Sequence, residues 1–179
     1  NEKAKAYVAG VDVNTYGVYA GFDFTPAVTL QGVYYWQDLS IDGIGGFDGD
    51  SPKSWKAQLY IKQDLLKFTS LWLEYAQEDN SFFGTADYSD SSYGYIGSNP
   101  YSKRPWNSNT AKMFLARADQ KWNDKWSTYV SYFNADWDTN GYDDTREWSV
   151  GAAYQYTPAI QFKLEYADLD FGKVNNVET

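Results

Sequence analysis

Apolar and polar residues alternate with a period of two along nearly the whole chain, and helical periodicity is almost absent. Successive side chains leave a strand on opposite sides, so a chain patterned this way folds into strands whose two faces differ in chemistry. The alternation predicts roughly nine strands, over 6–13, 16–24, 28–38, 54–64, 68–78, 111–122, 126–136, 147–156 and 160–170. The expected connections also alternate. Thr25-Pro26-Ala27, Leu65-Leu66-Lys67, Asn123-Asp124-Lys125 and Thr157-Pro158-Ala159 are short. Segments 39–53, 79–110 and 137–146 are longer and polar, and a tight Asn14-Thr15 turn precedes them. Outer-membrane barrels have this asymmetry of short turns at one end and long loops at the other.

Splitting each strand by parity gives one face that is apolar and uncharged along the middle of the strands. It runs through Phe22, Phe24, Leu30, Tyr34, Trp36, Trp55, Leu59, Leu71, Leu73, Tyr75, Phe114, Trp122, Trp126, Val130, Tyr132, Trp148, Val150, Tyr154, Tyr156, Phe162, Leu164 and Tyr166. The other face carries Asp23, Lys56, Lys62, Asp64, Glu74, Arg117, Asp119, Lys121, Lys163 and Glu165, interspersed with small residues such as Gly21, Ser131 and Gly151. On the first face the aromatics flank an aliphatic band. Phe24, Trp122, Trp126 and Tyr156 fall beside the short turns, and Trp36, Trp55, Tyr75, Tyr132, Trp148 and Tyr166 near the long loops. Lipid interfaces select such girdles. The band is about nine residues per strand, against the ~9–11 that a tilted membrane strand needs.

Composition narrows the chemistry. With no cysteine and no histidine, thiolate sites, cysteine nucleophiles and the commonest general base and metal ligand are excluded. A net charge of -9 argues against nucleic acid as a partner. Aromatics make up 20 % of the 179 residues, with 17 Tyr and 8 Trp, which suits a membrane interface or a sugar-binding surface better than a small core. No run of ~18 apolar residues exists to form a membrane helix.

Three loops carry candidate chemistry. Asp136, Asp138, Asn140, Gly141 and Glu147 match the first, third, fifth, sixth and twelfth places of an EF-hand loop, a candidate calcium site. The strand-like flanks and Asp143 at the apolar eighth place favour a plain acidic hairpin. The Gly-rich stretch with Asp42, Asp48 and Asp50 is a second acidic loop of the same kind. The longest connection contains Asp87, Asp90, Lys103 and Arg104 among many aromatics, and in a pore it would be a candidate constriction loop. Glu74 and Glu165 occupy equivalent places in two similar hairpins, as paired glycosidase carboxylates would. A lumen of mixed charge accounts for them without catalysis, and the chain reads as no enzyme.

Ala118-Asp119-Gln120-Lys121-Trp122-Asn123-Asp124-Lys125-Trp126 and Tyr154-Gln155-Tyr156-Thr157-Pro158-Ala159-Ile160-Gln161-Phe162-Lys163-Leu164-Glu165-Tyr166-Ala167 resemble the barrel of the S-layer-homology (OmpM-type) porins of diderm Firmicutes. The resemblance implies a trimeric general-diffusion porin. That family's S-layer-homology domain, which tethers the membrane to peptidoglycan, has no counterpart in these residues. The expectation is an all-β, antiparallel up-and-down transmembrane β-barrel across 1–179, part of a larger barrel. It would sit in the bacterial outer membrane and pass small hydrophilic solutes, with a mild cation preference from its acidic loops. The alternatives are a soluble aromatic-rich β-sandwich that binds carbohydrate, and a structural barrel of little conductance.

Overall fold

The computed structural model describes residues 11–41, 51–79, 82, 110–137 and 143–170. They form one antiparallel sheet of eight strands in sequence order. The strands are β1 (Val11–Thr25), β2 (Val28–Ile41), β3 (Lys53–Ile61), β4 (Ser70–Asp79), β5 (Thr110–Lys121), β6 (Trp126–Asp136), β7 (Thr145–Thr157) and β8 (Ile160–Asp170). One short helix, α1 (Gln63–Leu66), joins β3 to β4. Each strand pairs with its chain neighbours, and β1 and β8 are the two edges, so the sheet is not closed.

Two expectations need correction. The first two of nine expected strands are a single strand. Asn14 and Thr15 do not turn but pair with Asp38 and Gln37 inside β1. Asn and Thr are ordinary turn residues, yet here β2 extends to Ile41 and offers each a ladder partner. With that turn gone, the alternation of short and long connections becomes regular. The second correction concerns Lys62 and Asp64, expected on the polar face of a strand. β3 ends at Ile61, so Lys62 precedes α1, Asp64 lies in its first turn, and both are exposed. Gln63 holds the helix in place. Its amide donates to the Lys121 carbonyl at 3.0 Å and accepts from the Lys121 amide at 3.0 Å, extending the ladder by one side chain. Lys67 closes the helix in the left-handed region, at φ 69°.

The short turns follow from local chemistry. Pro26 and Pro158 lock φ near −65°, so neither hairpin can use the positive φ of a primed turn. Both shift register beside the turn instead, between Asp23 and Thr25 and between Gln155 and Thr157. The shift leaves one extra residue, Phe24 in one hairpin and Tyr156 in the other, and a bulge of this kind absorbs mismatch in twist. The Thr25 and Thr157 hydroxyls accept from the amides of Ala27 and Ala159 at 3.2 and 3.3 Å. In the β5–β6 turn the Asn123 side chain accepts from the amides of Lys125 and Trp126, both at 2.9 Å.

The register preserves parity across the sheet. One hydrogen-bonded row links Phe22, Leu30, Leu59, Leu73, Ala116, Tyr132 and Trp148, and an adjacent-face row links Gln58, Glu74, Leu115, Phe133 and Glu147. Every buried residue within the described strands lies on the polar face, and the apolar face contributes none. On that apolar face Phe22, Phe24, Trp148, Phe162, Leu164 and Tyr166 are each more than half exposed. The aromatics cluster in pairs toward the strand ends. Tyr16–Trp36, Trp55–Tyr75 and Tyr132–Trp148 lie at centroid separations of 5.6, 5.3 and 4.5 Å near the long connections. Phe22–Phe24 and Trp126–Tyr154 lie at 4.9 and 4.7 Å near the short ones.

Followed across the sheet, the line of aromatics near the long connections does not keep to one hydrogen-bonded row. The row through Tyr166 crosses Val150, Val130, Ala118, Leu71 and Ile61 and reaches β2 at Val28, eight residues from Trp36. Eight residues are about 26 Å along a strand, and six strand spacings are about 29 Å across, so the aromatic line is inclined at roughly 40° to the row.

Glycines on the polar face accept rings from the next strand. Gly17 pairs with Tyr35, and a Cβ on Gly17 would meet the Tyr35 ring at 2.5 Å. Gly17→Ala should therefore lower the unfolding free energy by about 1–3 kcal/mol. Measured by urea denaturation, the loss should shrink when Tyr35→Ser is added. Equal losses in the single and double variants would show that the ring does not need the glycine.

Candidate functional site

The polar face divides into two halves. Toward the long connections it is dry. Ala76, Ala111, Met113, Leu115, Phe133, Ala135 and Trp137 form a buried cluster, with Trp72 and Leu169 packed against it. Glu74, Glu78 and Glu147 are buried among them, at 5 %, 0 % and 2 % exposure. Carboxylates so buried need donors. The Gln58 amide donates to Glu74 at 2.6 Å and the Trp72 indole at 3.4 Å. Ser54 donates to Glu78 at 3.4 Å, and Ser149 donates to Glu147. Parity missed this apolar cluster because large residues are rare on the face; their grouping on two adjacent strands, Met113–Leu115 beside Phe133–Ala135, becomes visible only with the register.

Toward the short turns the polar face opens into a cleft of about 270 Å³ lined by Arg117, Asp119, Tyr129, Gln161, Lys163 and Glu165. Arg117 is buried and forks onto Asp119, with Nε and Nη2 donating to its two oxygens at 2.7 and 2.6 Å. Its guanidinium lies 3.8 Å from the Tyr129 ring centroid. The other side of that ring covers Gly151, where a Cβ would collide with it. Gly151 stands between Tyr129 and Glu165 in one row, and its bareness lets the Tyr129 hydroxyl cross to donate to Glu165. Sequence reasoning named Arg117, Asp119, Lys163 and Glu165 but missed Tyr129, whose odd position between Thr128 and Val130 was its only signal.

The other candidates are scattered. Asp23 accepts from Thr29 at 2.6 Å on the exposed edge hairpin. Lys56 lies on the polar face opposite Ala76. Lys121 reaches Asp124 at 3.1 Å at the sheet end. Glu74 and Glu165 lie four strands apart, roughly 19 Å along the sheet, so their equivalence in sequence does not bring them together. Of the EF-hand pattern, Asp138 and Asn140 lie outside the described residues. Asp136 and Glu147 leave the sheet on opposite faces, Asp136 toward Lys112 at 3.8 Å and Glu147 toward Ser149. One calcium ion held by both would require one of them to leave its partner. Asp42, Asp48, Asp50, Asp87, Asp90, Lys103 and Arg104 also lie outside the described residues.

Asp119→Asn would leave the buried guanidinium without its balancing charge. Asp119 is itself 43 % exposed, which weakens the penalty through solvent screening, so a loss of about 1–2 kcal/mol is expected. Urea unfolding in detergent checks it, and no loss would mean that water already serves Arg117.

The chain matches no protein-family model, and no curated protein matches it.

Proposed function

We propose that this sheet is the wall of an outer-membrane β-barrel porin, a water-filled channel through which small hydrophilic solutes and ions diffuse. One observation carries the reading: burial is inverted. In a water-soluble sheet the apolar face is covered and the charged face is wet. Here the apolar face contains no buried residue, and the polar face contains all of those within the strands. Burying one large apolar side chain is worth about 1.5–3 kcal/mol. Leaving Phe22, Phe24, Trp148, Phe162, Leu164 and Tyr166 in water would forfeit on the order of 10 kcal/mol, comparable to the net stability of a whole domain. Lipid removes that loss.

Two further features support the reading. An aromatic line inclined at roughly 40° matches the tilt of strands in closed barrels, whose girdles run level with the membrane. An open sheet edge cannot stand in hydrocarbon, where each bare amide costs several kcal/mol, so β1 and β8 would both be paired in the complete barrel. The trimeric state belongs to the same proposal through the resemblance of segments 118–126 and 154–167 to S-layer-homology porins.

Val150 lies in the middle of the apolar face and is 50 % exposed. Val150→Arg should lower folding stability in lipid by about 2–4 kcal/mol, as at a bilayer midplane. At a water-facing site the change would stay within about 0.5 kcal/mol. The parent protein should need detergent for extraction, migrate differently on a denaturing gel before and after boiling, and conduct ions in a planar bilayer. Solubility in plain buffer together with an unaffected Val150→Arg variant would overturn the proposal.

A further inference from the structure

The cleft at the short-turn end has an unusual balance of charge. Arg117 is matched by Asp119 at hydrogen-bond distance. That leaves Lys163 and Glu165, two residues apart on the same face of β8. Neither forms an ion pair among the described residues, and they do not pair with each other. The reason lies across the sheet. The Tyr129 hydroxyl, carried over Gly151, holds the Glu165 carboxylate with a neutral donor. That bond engages the Glu165 carboxylate across the sheet from β6, and Gln161 and Ser127 add uncharged hydrogen-bonding groups to the cleft.

We infer that this cleft binds a small zwitterion, of the size of a dipeptide, with its carboxylate on Lys163 and its ammonium on Glu165. The spacing selects the length. The Cα atoms of Lys163 and Glu165, two residues apart on β8, lie about 7 Å from each other, and an extended chain of two residues spans about 7 Å. A free monovalent ion would satisfy one pole and leave the other uncompensated. An uncharged solute would satisfy neither, so the cleft discriminates by charge arrangement at one step of the path. The inference rests on the pore reading only in placing the cleft along a solute's route; binding itself requires only the folded sheet.

The test uses glycylglycine as the probe and N-acetylglycinamide, which carries neither charge, as its control. The whole protein in detergent micelles is titrated with each by calorimetry, and the same preparation is assayed for ion conductance in planar bilayers. Glycylglycine should bind about fivefold or more tightly than the control. Lys163→Gln and Glu165→Gln should each remove that margin. Tyr129→Phe should remove it too although both charges remain, because the released Glu165 then closes onto Lys163. Circular dichroism of the variants should match the parent. Equal binding of the two probes overturns the inference, as does a Tyr129→Phe variant with undiminished preference. Preferential binding without conductance supports the site and overturns the pore reading; conductance without preferential binding does the reverse.

Discussion

A slip of one residue in any of the seven strand pairings would turn one strand's leucines and tryptophans toward its neighbour's carboxylates. The register therefore carries more than backbone hydrogen bonds. It keeps Leu59 beside Leu73 and Gln58 beside Glu74, and it holds two chemically opposed surfaces apart over eight strands. Buried carboxylates such as Glu74 and Glu147 coexist in one sheet with exposed side chains such as Trp148 and Leu164 because the register keeps the two sets on opposite faces.

The chain fixes its register with devices that act at different points along the strands. At the short turns, the two Thr-Pro-Ala hairpins make the same bulge with the same hydroxyl cap, and each bulge sets an aromatic residue, Phe24 or Tyr156, at the rim of the apolar face. A proline that cannot adopt the favoured hairpin geometry thus becomes the means of placing a rim aromatic. Within the strands, a ring laid over a bare glycine marks one pairing and no other. Tyr35 fits opposite Gly17, and Tyr129 opposite Gly151; a shifted register would place either ring against a Cβ.

Period-two alternation made both faces legible in the sequence, because the sheet obeys parity throughout and residues such as Leu73 and Glu74 need only be counted. Three of the four short connections, at Pro26-Ala27, Asn123-Asp124-Lys125 and Pro158-Ala159, were legible for the same reason, as breaks in that count. Asn14 and Thr15 were misread because turn propensity is local, whereas a strand continues wherever a partner of sufficient length faces it. Lys62 and Asp64 were misread because alternation cannot reveal where a ladder stops; the Gln63 amide takes over from the backbone one residue earlier. The apolar cluster around Leu115 and Phe133, and the span of Tyr129 across Gly151, depend on which strands are neighbours and in what register. No single strand contains that information.

In the proposed pore, the two halves of the polar face would bear differently on passage of solutes. Around Leu115 and Phe133 side chains are packed and each buried carboxylate is held by a neutral donor such as Gln58, Trp72 or Ser149. Reorienting any of these acids would break a buried hydrogen bond, so they act as fixed scaffolding. Around Lys163 and Glu165 the side chains are exposed, and among the described residues only the Tyr129 hydroxyl fixes one of them. In the proposed pore, solute discrimination by the described wall would fall to the short-turn half. There, a balanced set of charges leaves no strong net field, and what remains to be read is the spacing between one cation and one anion. The expected mild cation preference rests instead on acidic loop residues such as Asp42, Asp48 and Asp50, which lie outside the described residues.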